Sequence, residues 1–248
     1  VIVLALDTAT PAVTAGVVRL TAADPVAGPA AKPVVDPIVD SAVDPVPTLD
    51  QLAVRTTVDA RAHGELLTPH VRDALADAGL GMDRIDAIVC GTGPGPFTGL
   101  RVGMVTAAAL GHALNRPVYG VCTLDAIAHD ARTTTPLLVV TDARRKEVYW
   151  AAYDAGGRRL LGPEVTVPAA VTEIAVTHDI AGAAGEGARK YADVLGVQVV
   201  EPAYPAPAGL VAVAAAQVLA RATPDEFRPL YLRRPDAVEP GARKKVGT

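Results

Sequence analysis

The sequence predicts an α/β protein made of two related halves. Three observations predict it. Short apolar runs of strand length alternate with helical stretches along the chain. A strand, an acidic turn and a returning strand occur twice, once around Asp7 and once around Asp142. An apolar run leading into a glycine-rich loop also occurs twice, over Ile88–Gly95 and Ile180–Gly187. A pattern of mixed strand and helix that repeats in this way implies a duplicated unit.

Val1–Leu6 is uniformly apolar and reads as a strand buried on both faces. Val13–Leu20 is its hairpin partner across the turn Asp7-Thr8-Ala9-Thr10-Pro11. From Asp24 to Leu49 six prolines (Pro25, Pro29, Pro33, Pro37, Pro45 and Pro47) block helix and remove ladder donors, so residues 24–49 read as a surface insertion. Glu65–Gly79 has Leu66, Leu67, Val71, Ala74 and Leu75 at helical spacing. Within it, either Thr68 caps a helix with Pro69 in its first turn, or a longer helix bends at Pro69. Ile85–Cys90 is a short buried strand. After the loop Gly91–Pro96, Thr98 is placed to cap a helix running to Leu114. Val118–Cys122 reads as a strand and Leu124–Ala131 as a helix. Leu137–Val140 and Val148–Tyr153 are strands joined by the turn Asp142–Arg145, and Leu210–Ala222 is an alanine-rich helix returning to the first half. The division expected is 1–115 with helix 209–222 as the first subdomain, 116–208 as the second, and 223–248 as a tail. That tail carries Arg228, Arg233, Arg234, Arg243, Lys244 and Lys245 against Asp236 and Glu239, a modest basic patch.

The formal net charge is −4 over 248 residues. A chain that grips nucleic acid by itself usually carries a basic excess, so a partner would do most of any such gripping. Cys90 and Cys122 are far apart and follow apolar runs, which reads as two small buried residues rather than a disulfide or metal pair. The first apolar run ends at Asp7, there is no basic leader, and no apolar run has membrane length; a cytoplasmic location is the expectation.

The glycine loop Gly91-Thr92-Gly93-Pro94-Gly95-Pro96-Phe97-Thr98-Gly99-Leu100-Arg101 lacks the lysine of a phosphate loop and the third glycine of a dinucleotide fingerprint. Its prolines lack the N–H groups a phosphate cradle uses. It reads as a rigid strand-to-helix turn, with Arg101 able to meet an anion near the helix start. Gly99, Gly103, Ala107 and Gly111 form a small-residue ridge on the following helix. Such a ridge admits close packing, either inside this chain or against a partner protein. Asp7 and Asp142 sit at hairpin tips, where an acid holds a metal–nucleotide complex in an actin-like enzyme; the commoner use of such an acid is to cap its turn. The five histidines show no i, i+4 pair for a metal, no Gly-x-Ser-x-Gly elbow occurs, and His63 is a weak general-base candidate.

Gly93-Pro94-Gly95-Pro96-Phe97-Thr98-Gly99-Leu100-Arg101-Val102-Gly103 resembles the signature of the TsaB family, with Pro96 where a serine is common. Further segments agree in order: Leu4–Thr10, His63–Leu67, Val121–Ala126, Thr141–Tyr149 and Pro229–Arg233. The resemblance implies an actin-like fold of two ribonuclease-H-like subdomains with a degenerate nucleotide site. It implies a non-catalytic scaffold that pairs with the catalytic paralogue TsaD, joined by the ATPase TsaE. That complex places threonylcarbamoyl on the adenosine beside the anticodon of tRNA, so tRNA is met indirectly. It implies no cofactor in the isolated chain, with ATP or ADP and magnesium belonging to the assembled complex. It places the heterodimer seam on the helices near Glu65–Ala78 and Thr98–Leu114, through Leu66, Leu67, His70, Val71, Ala74, Gly99, Leu100, Gly103, Ala107 and Gly111. Without the partner, that seam could hold a second copy. The alternatives are a stand-alone actin-like ATPase or phosphotransferase using Asp7 and Asp142, whose phosphate release would vanish in Asp7→Asn, and a peptidase.

Overall fold

The computed structural model describes residues 1–23 and 46–233. Most of the proline-rich segment and the basic end of the tail lie outside the described residues. β1 (Ile2–Asp7) pairs antiparallel with β2 (Ala12–Thr21), which pairs with β3 (Thr48–Val58). On its other side β1 runs parallel to β4 (Ala87–Gly91), and β4 to β5 (Val118–Val121). The order is β3-β2-β1-β4-β5.

The second sheet repeats this plan. β6 (Leu137–Asp142) pairs antiparallel with β7 (Val148–Tyr153), and β7 with β8 (Arg159–Thr166). β6 is parallel to β9 (Gly182–Ala184), and β9 to β10 (Gln198–Val199), giving β10-β9-β6-β7-β8. The duplication read from the sequence is therefore a duplication of topology.

Helices cover both faces of each sheet, which is why the central strands are apolar throughout. Leu4 and Leu6 point into a core formed with α1 (His63–Asp77) and α2 (Phe97–Leu114). The alternate residues Val3 and Ala5 meet Leu210, Val211, Ala214 and Val218 of α7 (Pro207–Leu219). α3 (Thr123–Ala131) closes one face of the second sheet through Leu124 and Ile127, and α4 (Pro168–Thr177) the other through Val171 and Ala175. α3 and α7 cross between the sheets. A Cβ on Gly209 would lie 2.6 Å from the Ala126 carbonyl oxygen, and Asp130 accepts the Ala206 N–H at 2.8 Å. Two short helices, α5 (Glu186–Lys190) and α6 (Ala192–Leu195), follow β9. Cys90 and Cys122 are both buried.

Several expectations need correcting. Of the two readings of α1 the longer helix holds: it starts at His63 and runs through Pro69, so Thr68 is not its cap. α2 is preceded by Pro96 in the extended region, and Thr98 lies exposed inside its first turn without capping it. β5 belongs to the first sheet, so that sheet extends past the boundary expected at residue 115. β3, β8 and α4 were not foreseen. β3 is an edge strand with mostly exposed side chains, so alternation between core and water is weak. β8 is an edge strand too, and carries Gly162-Pro163. The start of α4 was legible: Pro168 occupies its first turn.

Candidate functional site

The strand ends that point the same way in both halves converge on one cleft of about 740 Å³. Its walls come from the turn after β1 (Thr8, Thr10), the start of α1 (His63), the glycine loop into α2 and the turn after β6 (Asp142–Arg145). The C-terminal segment completes it with Tyr231, Leu232 and Arg233. Clefts beyond the carboxyl ends of parallel strands are the usual ligand sites of α/β folds.

Asp7 does not line this cleft. It is fully buried; its carboxylate accepts the Ala9 N–H at 2.9 Å and the Thr123 hydroxyl at 2.7 Å. Gly91 makes that pocket possible, since a Cβ there would sit 1.8 Å from the Asp7 carboxylate. Burial raises the Asp7 pKa to about 6, against the hydrogen bonds from Thr123 and Ala9. The glycine loop presses onto the same turn: a Cβ on Gly95 would meet the Ala9 carbonyl oxygen at 2.1 Å.

Asp142 does line the cleft. It is paired with Lys190 at 2.9 Å, and its own N–H donates to Glu186 at 3.0 Å. Glu186 is half-buried, with its Oε2 sealed from solvent. Burial lifts its pKa to about 7, and its Oε2 has no hydrogen-bond partner among the described residues. Gly185 and Gly187 approach β6 as Gly95 approaches the turn after β1. Cβ atoms there would lie 2.2 Å from the Val140 oxygen and 2.8 Å from the Thr141 carbonyl carbon.

His63 is buried, with Nε2 committed to the Thr10 carbonyl at 2.8 Å. His70 is half-buried, bonded to the Thr57 hydroxyl at 2.9 Å, and burial lowers its pKa. Among the described residues no cluster of His, Cys, Asp and Glu could hold a metal ion.

Arg101 stands at the rim. Its Nε donates to the Tyr231 hydroxyl at 2.8 Å, and its guanidinium lies 3.7 Å from the centre of the Phe97 ring. Phe97 and Tyr231 stack at 5.2 Å. The C-terminal segment is thereby laid across both halves. Phe227 packs at Gly120, the Leu230 N–H donates to the Thr92 carbonyl, and Arg233 donates to the Ala143 carbonyl at 3.1 Å while pairing with Glu147. Sequence reasoning missed this strap. A signal existed, since one of the two phenylalanines and one of the six tyrosines of the chain fall in it.

The helix residues offered as a partner seam divide sharply. Leu67, Val71, Ala74, Leu100, Ala107 and all three ridge glycines are buried in this chain. Cβ atoms on Gly99 and Gly103 would meet Thr8 at 2.8 and 2.5 Å, and one on Gly111 would meet Val118 at 2.3 Å. The ridge is thus the face by which α2 packs on β1, its turn and β5. Only Leu66 and His70 of that set are partly exposed. The outward stripe of α2 is a different one: Val102, Val105, Ala109 and Ala113, with Val105 67% exposed.

The family model for TsaD, tRNA N6-adenosine threonylcarbamoyltransferase, matches residues 54–206. YeaZ from Pseudomonas aeruginosa superposes with a TM-score of 0.67 at 27% identity, over 93% of this chain and 99% of that one. A second Pseudomonas aeruginosa structure, described as similar to peptidase YEAZ, gives 0.69 at 28%, over 94% and 99%. The Escherichia coli tRNA threonylcarbamoyladenosine biosynthesis protein TsaB is 40% identical over 38% of this chain and 42% of its own. The chain belongs to the TsaB family. Like its structural relatives, this TsaB-family chain is an α/β protein, here built from two five-stranded sheets of matching strand order. An uncharacterised Mycobacterium tuberculosis protein is 50% identical over 95% of the chain and 93% of its own length. A Mycobacterium leprae relative is 49% identical over 95% of the chain, which spans only 56% of that protein. No described helix is long and apolar enough to cross a membrane.

Proposed function

We propose that this chain is the scaffold subunit for threonylcarbamoyladenosine formation in tRNA, acting without its own catalysis by pairing with a TsaD-type catalytic paralogue. The observation that carries the pairing is the outward stripe of α2. Val105 stands 67% exposed on a helix whose opposite side is sealed into the core, with Val102, Ala109 and Ala113 along the same stripe. Such a face gains by being covered. The seam therefore uses this stripe, with Leu66 and His70 at its edge, and not the glycine ridge.

The acid and loop at the end of β1 support the non-catalytic part of the reading. Asp7 has both carboxylate oxygens engaged inside the chain, and Pro94 and Pro96 offer no N–H to a phosphate. These residues do not fit a magnesium–nucleotide complex. ATP and magnesium are assigned to the assembled complex, where a TsaE-type ATPase would join.

Affinity capture from the native extract tests the reading, with wild type and Val105→Glu as baits. Wild type should recover a TsaD-type subunit. Val105→Glu should lose it, by tenfold or more from burying an unpaired charge, while melting like wild type because the site is at the surface. Equal recovery with both baits would move the seam elsewhere. A wild-type bait that recovered only copies of itself, together with unaided ATP hydrolysis lost in Asp7→Asn, would replace the scaffold by the enzyme.

A further inference from the structure

We propose that the rim of the cleft is a contact for an unpaired RNA nucleotide, which stacks on the Phe97–Tyr231 pair and places its phosphate among Arg61, Arg101 and Arg144. The proposal rests on the reading that this chain serves an RNA-modifying complex, and it names a contact this chain makes itself.

Three observations meet at this rim. First, Phe97 and Tyr231 remain 45% and 39% exposed although they stack on each other. Exposed stacked rings with a guanidinium laid on them form the kind of platform on which bases of a single strand add another layer. Second, Arg101 spends only its Nε, on the Tyr231 hydroxyl, so its terminal nitrogens have no hydrogen-bond partner among the described residues. Third, the charge around the cleft is the reverse of the chain's net −4. Arg61 and Arg144 are exposed and have no acidic partner among the described residues. Of the acids near the cleft, Asp142 is paired with Lys190 and Glu147 with Arg233, while Asp59 accepts the backbone N–H of Arg61. A concave site of about 740 Å³ suits a nucleotide turned out of a strand and not the convex side of a duplex.

The test is fluorescence anisotropy with the purified full chain, without partners, and a labelled single-stranded oligouridylate. Binding should appear at low salt with a dissociation constant on the order of 10–100 μM and weaken as salt rises. Phe97→Leu should weaken it about tenfold, the size of one lost base stack. Arg144→Gln should lower the salt slope by roughly 0.7, one phosphate contact on a single strand. Ultraviolet crosslinking should mark peptides holding Phe97 or Tyr231. Val105→Glu should bind the probe like wild type, so failure of the pairing reading and failure of this one give different results. No binding at low salt, or full binding by Phe97→Leu, would overturn the proposal. Equal competition by poly-glutamate would reassign the cleft to acidic peptide, and equal competition by AMP to free nucleotide; either result rejects the RNA contact.

Discussion

Leucine at Gly103 is expected to leave the chain largely unfolded or strongly destabilised, by about 3 kcal/mol or more. The reason is a three-part lock between α2 and the turn after β1. The Thr8 hydroxyl donates to the Gly99 carbonyl at 2.7 Å and accepts the Gly103 N–H at 2.9 Å. A Cβ on Gly103 would stand 2.5 Å from that hydroxyl oxygen. Leucine would push α2 off the turn and break both buried bonds, and the freed Thr8 hydroxyl would be left unpaired. The melting temperature should fall by roughly 6–12 °C for a domain of this size, read from fluorescence of the single, buried Trp150. Val105→Glu, two residues away on the same helix, should melt within about 0.5 kcal/mol of wild type. A stable Gly103→Leu protein that merely lost its partner would return the ridge to the seam.

Stability should fall as pH rises from about 4 to about 7. Asp7 moves from 3.8 to about 6 on folding, and Glu186 from 4.5 to about 7, both because burial disfavours the charged form. Both pKa values are raised in the fold. The stabilisation is therefore complete below the unfolded values and is lost as pH climbs through the folded ones. Each group contributes on the order of 2–3 kcal/mol to the decline. Denaturant titrations at a series of pH values check this. Asp7→Asn should flatten the part of the curve ending near 6, and Glu186→Gln the part ending near 7. Wild-type stability that stays flat or rises across this window would show that both carboxyls are better solvated than their burial implies.

The value of these two carboxyls could not be read from sequence. On paper Asp7 is an acid at the end of an apolar run, with no glycine nearby, and Glu186 an acid between two glycines, and neither pattern states its environment. Only the fold shows Asp7 sealed by Thr123, a residue 116 positions away, and Glu186 holding the N–H of Asp142. The Phe97–Arg101–Tyr231 cluster is similar. Its Arg101–Tyr231 bond spans 130 positions, so no local pattern announces it.

Sequence by itself determined the fold class, the duplication, the central strands and the family. Those follow from runs and motifs that are local, because a strand buried on both faces must be apolar throughout and a glycine loop must be glycine. Tertiary structure alone decided which way each face turned. Gly99, Gly103 and Gly111 make the same ridge whether a partner or β1 lies against it, since small residues record a close approach without recording by what. It also decided that Asp7 serves its own turn, and that the C-terminal segment spans both halves. Such contacts join residues far apart in the chain, and periodicity carries no trace of them.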